Sequence, residues 1–130
     1  MTHGREHPEL LYGELSRHIR QVAFDVHKYF GGGFLEKVYE NALAHRLTKA
    51  GVPVSIQVPL SVRDEDGTIV GQFFADMVVN NLVLVEVKAR SQLIPEHSAQ
   101  VINYLKATGL RLGILLNFSE RRLQIKRLIL

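Results

Sequence analysis

The sequence predicts one α/β (α+β) domain over residues 1–130, in which a mixed central sheet is flanked by helices. Three observations predict it. Apolar residues recur at helical spacing through the first 50 residues, and strand-like apolar runs separated by polar turns follow. A third helical pattern then precedes two further apolar runs. Because this order combines a hairpin with a helical crossover, it favours a mixed sheet with helices packed on it.

The composition is typical of a globular domain with its own core. The chain has 130 residues, of which 46% are hydrophobic. No apolar run reaches the ~18 residues that span a bilayer, the first residues lack the apolar stretch of a signal peptide, and residues 1–9 are expected to be flexible. The lack of Cys excludes disulfides and thiolate metal sites. Since it also fits a reducing compartment, we expect a cytoplasmic protein.

Positive charge is concentrated in the last third of the chain. Residues 1–87 carry 8 Lys/Arg and 11 Asp/Glu, a net −3, whereas residues 88–130 carry 8 Lys/Arg and 2 Asp/Glu, a net +6. Four of the later cations form a cluster near the end, at Arg121, Arg122, Lys126 and Arg127. The cluster has two interpretations: a surface that contacts phosphates, or an edge strand whose cations prevent aggregation.

The first predicted helix runs from about Leu10 to Phe30. Apolar residues recur in it at helical spacing: Leu11, Leu15, Ile19, Val22, Val26 and Tyr29. Three glycines at residues 31–33 end it, since glycine accepts the left-handed conformation at a helix C-terminus. Such a triplet could also cradle phosphate at the start of the next helix. Because no P-loop Lys-Ser/Thr follows, helix termination is the favoured interpretation.

The second predicted helix runs from about Phe34 to Ala50, where Gly51 and a nearby proline stop it. Glu36 and Tyr39 lie three residues apart, so they share a face near the start of this helix. Glu36 has two interpretations. It is either an acid placed favourably in the helix dipole, or a carboxylate that contributes to a metal site.

Three strands are predicted after the second helix. The first runs from Val54 to Val62, and Pro59 marks it as an edge strand or a bulged one. The acidic residues 64–66 and a glycine then form a turn. The ligand spacing of an EF-hand is absent, so we favour a solvated turn over a Ca²⁺ site. The other two strands, residues 69–79 and 82–89, form a hairpin around a polar turn at residues 80–81.

A third helix is predicted from about Pro95 to Thr108, with Gly109 just past its end. Gln100 and Tyr104 are four residues apart on one face of this helix, and His97 lies on the same face. His97 could assist a proton transfer or could be an ordinary packing residue.

Two strands complete the element order α-α-β-β-β-α-β-β. Residues 111–118 form a continuous apolar run, which we expect to be buried on both faces and parallel to a neighbour. Residues 123–130 form the last strand after a turn at Ser119-Glu120. No internal repeat, linker or low-complexity segment interrupts this order.

The central hairpin carries three charged residues among apolar ones: Asp76, Glu86 and Lys88. A lone charge in a buried strand is costly, so such charges are usually paired or bound to a metal. Glu86 and Lys88 are two residues apart, so they project from the same face of a strand. The hairpin therefore predicts either a divalent-cation site with a lysine beside it, or a structural ion pair.

A shared cation site makes a demand on the hairpin loop. A regular two-residue turn would put Asp76 and Glu86 on opposite faces, because a one-residue shift in register reverses facing. Two carboxylates that bind one metal therefore need a loop of odd length or a bulge near the site. We predict that irregularity.

The spacing Asp76-(x)n-Glu86-x-Lys88 resembles the core motif of the PD-(D/E)XK nuclease superfamily. Two further elements occur in the expected order. Gly33, Glu36 and Tyr39 fit the pattern that names the GxxExxY protein family, and Gln100-x-x-x-Tyr104 is similar to an element of RecB-type members. The resemblance covers most of the chain, from about Phe30 onward. It implies the restriction-endonuclease-like core α-β-β-β-α-β within the predicted order.

The resemblance also implies a metal-dependent nuclease. Asp76 and Glu86 would bind Mg²⁺ (or Mn²⁺), and Glu36 would reach the metal directly or through water. Lys88 would orient or deprotonate the attacking water. Gln100 and Tyr104 would position the backbone of the nucleic acid or brace the catalytic residues, and Tyr39 would also position the substrate. The alternative function is a non-catalytic module that binds nucleic acid or a protein and retains the nuclease fold.

The implied substrate is nucleic acid, with DNA expected, in repair or processing. No helix-turn-helix or zinc-finger motif occurs, so specificity would come from a partner, a dimer or nucleic-acid shape. A homodimer is a further expectation, because small nucleases often need a second subunit to address two strands.

Overall fold

The computed structural model describes residues 11–130, which form three helices and five strands in the predicted order. The expected flexible residues 1–9 and the predicted helix start at Leu10 lie outside the described residues. In chain order the elements are α1 Gly13–Phe30, α2 Glu36–Lys49, β1 Val54–Arg63, β2 Ile69–Val79, β3 Val83–Lys88, α3 Pro95–Thr108, β4 Leu112–Phe118 and β5 Leu123–Ile129.

The strands form one mixed sheet in the order β1-β2-β3-β4-β5. Only the β3–β4 pair is parallel among these five strands, and α3 is the crossover that joins them. Every residue of β4 is buried, so the prediction of a parallel strand buried on both faces is confirmed. Pro59 lies in β1, which is an edge strand as predicted.

Helices cover both faces of the sheet. On one face α1 and α2 pack on apolar strand residues such as Met77, Val85 and Val87. On the other face α3 packs through Val101 and Leu105 on a smaller apolar cluster, which includes Leu84 of β3. Alternate residues of β3 therefore face α1 and α2 or face α3, as a pleated strand requires.

The glycine triplet ends α1, as predicted. Gly31 is the C-cap, and its amide donates to the His27 carbonyl at 2.8 Å. Gly32 is required for a different reason, because a Cβ there would lie 2.2 Å from the Cα of Glu120 in the turn after β4. The triplet thus lets the turn between α1 and α2 pack directly on the end of β4.

No helix among the described residues is long and apolar enough to cross a membrane.

Candidate active site

The loop between β2 and β3 has three residues, so the predicted odd-length loop is confirmed. Val79 pairs with Val83, and Leu82 donates to the Val79 carbonyl at 3.0 Å to close the turn. Asn80 and Asn81 both adopt the left-handed conformation, with φ of 52° and 57°. This register pairs Met77 with Val85. The next residues outward are Asp76 and Glu86, which therefore lie opposite each other on the same face.

Asp76 and Glu86 are joined crosswise through the backbone. The amide of Asp76 donates to Glu86 Oε2 at 2.6 Å, and the amide of Val87 donates to Asp76 Oδ2 at 2.8 Å. The regular pairing of β2 with β3 stops at Met77 and Val85, so these two bonds extend the contact with side chains in place of backbone carbonyls. Each carboxylate is fixed by the opposite strand, which holds the pair in one geometry.

Burial makes both carboxyl groups unfavourable as anions. Glu86 is only 3% exposed, and its pKa is raised to about 8, first by burial and then by the charge of Asp76. The pKa of Asp76 is also raised, mainly by burial, although the Val87 amide and Lys88 act in the opposite direction. A bound cation would relieve both effects, because it would replace the lost solvation and separate the two charges.

Lys88 lies on the same face as Glu86 and is half-buried. Its charge lowers the pKa of both Asp76 and Glu86. Within residues 11–130, however, it forms no ion pair with either carboxylate within 4.0 Å. A structural ion pair would require a contact between the Lys88 ammonium and one of the carboxylates, and the described residues do not form that contact. The ammonium lies beside the carboxylate pair without bonding to it.

Glu36 begins α2 and lies at the end of β3. Its Oε2 accepts a hydrogen bond from the Ala89 amide at 3.2 Å and lies 4.0 Å from Arg90 Nε. Its charge raises the pKa of Asp76, so it is within electrostatic range of the pair. Among the described residues no three His, Asp or Glu side chains form a group that could hold a metal. Glu36 is therefore placed next to the Asp76–Glu86 pair without forming a three-carboxylate cluster with it.

The donor set fits Mg²⁺ or Mn²⁺. Mg²⁺ takes hard oxygen ligands, commonly from one or two carboxylates, and keeps several waters and substrate phosphates in its remaining positions. Asp76 and Glu86 offer two such carboxylates, held next to each other by the crossed hydrogen bonds.

Gln100 and Tyr104 lie together on α3, as their spacing predicts. Gln100 Nε2 donates to the Tyr104 hydroxyl at 3.3 Å. The pKa of Tyr104 is raised by burial and by the charges of Glu86 and Asp76, so its ring is near the pair. Both residues therefore lie at the α3 side of the carboxylates.

His97 stabilises the start of α3. Its Nδ1 accepts a hydrogen bond from the Ile94 amide at 3.1 Å, so the ring caps the helix. Burial and the positive charges of Lys88 and Arg90 lower its pKa. Of its two predicted roles, this contact supports the structural one.

Tyr39, predicted to position the substrate, is placed in the core. The residue is fully buried, and its ring stacks on Phe118 with centroids 4.5 Å apart. Its hydroxyl donates to the Gly31 carbonyl at 2.7 Å and accepts from the Phe34 amide at 3.2 Å. A side chain without exposed surface cannot contact a substrate, so Tyr39 instead fixes the turn between α1 and α2.

Glu40 and Gln57 lie near the carboxylate pair but were not predicted from the sequence. Glu40 is buried, and its Oε1 accepts hydrogen bonds from Gln57 Nε2 at 2.7 Å and Lys37 Nζ at 3.4 Å. Its charge raises the pKa of both Asp76 and Glu86. Gln57 lies in β1 beside Asp76. Its φ of 47° is uncommon for a residue other than glycine. The detectable signal was Glu40 four residues after Glu36, since like charges at this spacing disfavour a helix.

Asn117 was also missed. It is fully buried in β4, where its Oδ1 accepts from the Arg90 amide at 2.8 Å and its Nδ2 donates to the Arg90 carbonyl at 3.0 Å. Asn117 is also the register partner of Lys88, the last residue of β3. Its side chain therefore anchors the chain just after that strand ends. A lone amide in an otherwise apolar run was a usable signal, because a buried polar group needs partners.

Comparison with known proteins gives one family match over most of the chain. The family model of the PD-(D/E)XK nuclease superfamily matches residues 13–128. No curated protein is significantly similar to the chain.

Two solved structures share the fold. One is the crystal structure of SSO0001, with a TM-score of 0.60, 17% identity, and coverage of 72% of this chain and 50% of that chain. The other is an alkaline exonuclease (LHK-Exo) from Laribacter hongkongensis, with a TM-score of 0.53, 16% identity, and coverage of 72% and 55%. The chain thus spans about half the length of each, and the likeness shows a restriction-endonuclease-like fold.

Proposed function

Because the chain belongs to the PD-(D/E)XK nuclease superfamily, we propose that it hydrolyses phosphodiester bonds in nucleic acid with Mg²⁺ or Mn²⁺ held by Asp76 and Glu86. The observation that carries the proposal is the pair itself. Glu86 is buried and Asp76 is partly buried; the two carboxylates lie opposite each other, are held crosswise by backbone amides, and have raised pKa values. Such a pair costs stability unless a cation compensates it.

The chain's own residues have distinct tasks in this proposal. When bound, the metal would supply charge stabilisation at the phosphate and a more acidic water. Asp76 and Glu86 hold their oxygens in place through the Val87 and Asp76 amides, so the pair needs little rearrangement to bind. Lys88, on the same face and free of an ion pair within the described chain, orients the attacking water or balances phosphate charge.

The surrounding residues complete the site. Glu36 lies beside the end of β3 and acts on the metal through a water. Of its two predicted modes, direct or through water, the second is supported because residues 11–130 contain no three-carboxylate cluster. Gln100 and Tyr104, joined by their hydrogen bond at the α3 side, contact the substrate backbone. Glu40 acts by raising the pKa values of the pair rather than by contact with substrate.

The proposal extends to the GxxExxY branch of the superfamily. Two residues of that pattern have structural tasks that support it: Gly33 adopts φ of 103°, and Tyr39 closes the turn onto Gly31. Glu36 stands next to the candidate site. DNA is the proposed substrate, as the resemblance implies.

Cleavage assays test the proposal. Wild type, Asp76→Asn and Glu86→Gln are incubated with end-labelled single- and double-stranded DNA and RNA, in Mg²⁺, Mn²⁺ or EDTA. The matched control is Asp25→Asn, which neutralises an exposed carboxylate on α1. We expect metal-dependent cleavage by wild type and the control, and a loss of about 100-fold or more in the other two variants. Cleavage that persists in EDTA, or in both site variants, would contradict the proposal. Binding to nucleic acid without cleavage of any substrate would favour the non-catalytic module.

A further inference from the structure

A groove of about 900 Å³ lies beside the candidate active site, between the β1–β2 hairpin and the exposed side of α3. Gln100 and Tyr104 line this groove and also lie at the α3 side of the carboxylate pair. Tyr104 therefore lies both in the wall of the groove and within electrostatic range of the carboxylate pair. Its remaining wall combines an aromatic ring with cations and amides.

Phe73 is the aromatic ring in the wall. It is 44% exposed, so much of the ring is accessible to a ligand. Its ring packs at 5.8 Å from the ring of Tyr104, with the planes tilted by 41°. One side of the Phe73 ring is thus supported by the protein while much of it remains accessible from the groove.

Gly71 leaves the space in which this ring lies. A Cβ at Gly71 would approach Cε2 of Phe73 to 3.0 Å, so a side chain there would force the ring to shift. Gly71 and Phe73 both line the groove. The edge of the Phe73 ring therefore lies over Gly71, in space that a larger residue at that position would occupy.

Charged and amide groups also line the groove. Lys106 is exposed and forms no ion pair within the described residues, and Arg63 lies on the opposite side, where it donates to the Gly67 carbonyl at 2.9 Å. Asn103 offers an amide that can donate and accept. Glu96 is the acidic residue of the lining, so the two cations outnumber it.

We propose that this groove binds single-stranded nucleic acid, with a base stacked on Phe73 and a phosphate near Lys106. The proposal deepens the proposed function and rests on it for the direction of the strand, toward Tyr104 and the carboxylate pair. Base–aromatic stacking with cations along a groove is how proteins hold single strands irrespective of sequence. A base within a duplex already stacks on its neighbours and cannot use the ring.

The length of the groove suits a short segment. Along α3 it extends from Glu96 to Lys106, which is about 15 Å at the helical rise of ~1.5 Å per residue. At a stacked spacing of ~3.4 Å per nucleotide, that length accommodates roughly four nucleotides. The occupant is therefore a strand end or a single-stranded stretch next to the cleavage site.

Binding in EDTA tests the groove without cleavage. The anisotropy of a short fluorescein-labelled oligothymidylate, the matching oligouridylate and a blunt DNA duplex is measured with wild type, Phe73→Leu and Phe73→Trp. Phe74→Leu is the matched control, because Phe74 is the next residue, is 60% exposed and does not line the groove. Leucine keeps the apolar bulk, so the protein should remain folded, and thermal unfolding verifies this.

We expect Phe73→Leu to weaken single-strand binding by about 5- to 100-fold, while duplex binding changes little. Phe73→Trp and Phe74→Leu should bind as wild type does. Lys106→Gln should reduce the slope of log affinity against log salt by about 0.7, whereas Lys49→Gln, an exposed lysine at the end of α2, should not. The oligothymidylate and oligouridylate arms show whether the groove prefers DNA or RNA.

Three results would overturn the proposal: equal effects of the Phe73 and Phe74 changes, equal losses for single strand and duplex, or no single-strand binding by wild type. If light scattering showed that Phe73→Leu dissociates a dimer while single-strand binding persisted, a second copy of this chain would occupy the groove instead. Failure of the proposed function is separable. Wild type should bind the oligonucleotide in EDTA whether or not it cleaves nucleic acid when Mg²⁺ or Mn²⁺ is added.

Discussion

The two faces of the central sheet are built from the same strands but carry different chemistry. On the face covered by α1 and α2, Val85 and Val87 are buried among apolar side chains. On the α3 face, the residues that alternate with them in β3 include Glu86 and Lys88. A period of two therefore allows one strand to stabilise the fold with one set of residues and to hold costly charges with the other.

The two tyrosines assigned to the candidate site illustrate the difference. Tyr39 is on the apolar side, where its ring stacks on Phe118. Its hydroxyl is hydrogen-bonded to the backbone of Gly31 and Phe34. Tyr104 is on the α3 side, where its pKa responds to the carboxylate pair. We infer that loss of the Tyr39 hydroxyl changes stability, whereas loss of the Tyr104 hydroxyl changes activity.

The largest expected effect is that of Lys88→Gln. Lys88 has no ion pair among the described residues. The free energy of unfolding of Lys88→Gln should therefore differ from that of wild type by no more than about 0.5 kcal/mol. Cleavage under single-turnover conditions should fall by about 100-fold or more, the range for a lost proton-transfer group. Metal affinity should not fall, since a positive charge is removed. A stability loss that accounts for the whole loss of activity would contradict the division between the faces.

The next effect is a pH dependence of stability in the absence of metal. Folded Glu86 keeps its proton up to about pH 8, whereas the unfolded chain releases it near 4.5. Between these values the folded state binds more protons, so the free energy of unfolding should fall as pH rises, by up to about 1.4 kcal/mol per pH unit, and level off above pH 8.

Urea unfolding in EDTA across this pH range measures the slope. Glu86→Gln should abolish most of it, because glutamine does not titrate. Asp25→Asn, which changes an exposed carboxylate, should retain it. If the free energy of unfolding of wild type instead rose with pH between 5 and 8, Asp76 and Glu86 would be ionised and stabilised by the protein without a cation.

The smallest expected effect compares the two tyrosines directly. Tyr39→Phe removes a hydroxyl that is bonded to Gly31 and Phe34, so it should cost about 1–3 kcal/mol of stability and leave cleavage by the folded protein unchanged. Tyr104→Phe should change stability less and slow cleavage several-fold. Denaturant unfolding and steady-state kinetics on both variants test the comparison, and exchanged effects would reverse it.

The sequence was sufficient to predict the framework and the central pair. Element order followed from periodicity, and the odd-length loop followed from requiring Asp76 and Glu86 on one face, since strand facing depends only on register. Asn117 could also have been singled out from the sequence, because it is a polar residue within an apolar run that was predicted to be buried.

The rest depended on contacts between distant segments. Helical spacing put Tyr39 near the start of α2 but could not show that Phe118, far along the chain, covers its ring. Gln57 reaches Glu40 through a left-handed backbone conformation that no local residue preference predicts. The groove at Phe73 likewise exists only because α3 returns to pack beside the β1–β2 hairpin.

Calorimetric titration of Mn²⁺ tests the central claim most directly. It is performed above pH 8, where Glu86 is ionised, on wild type, Asp76→Asn and the control Asp25→Asn. The account predicts saturable binding by wild type and the control, and a loss of affinity of about 100-fold or more in Asp76→Asn. If wild type bound no metal, or if Asp76→Asn bound it equally well, the Asp76–Glu86 pair would be structural and the proposed nuclease site would be contradicted.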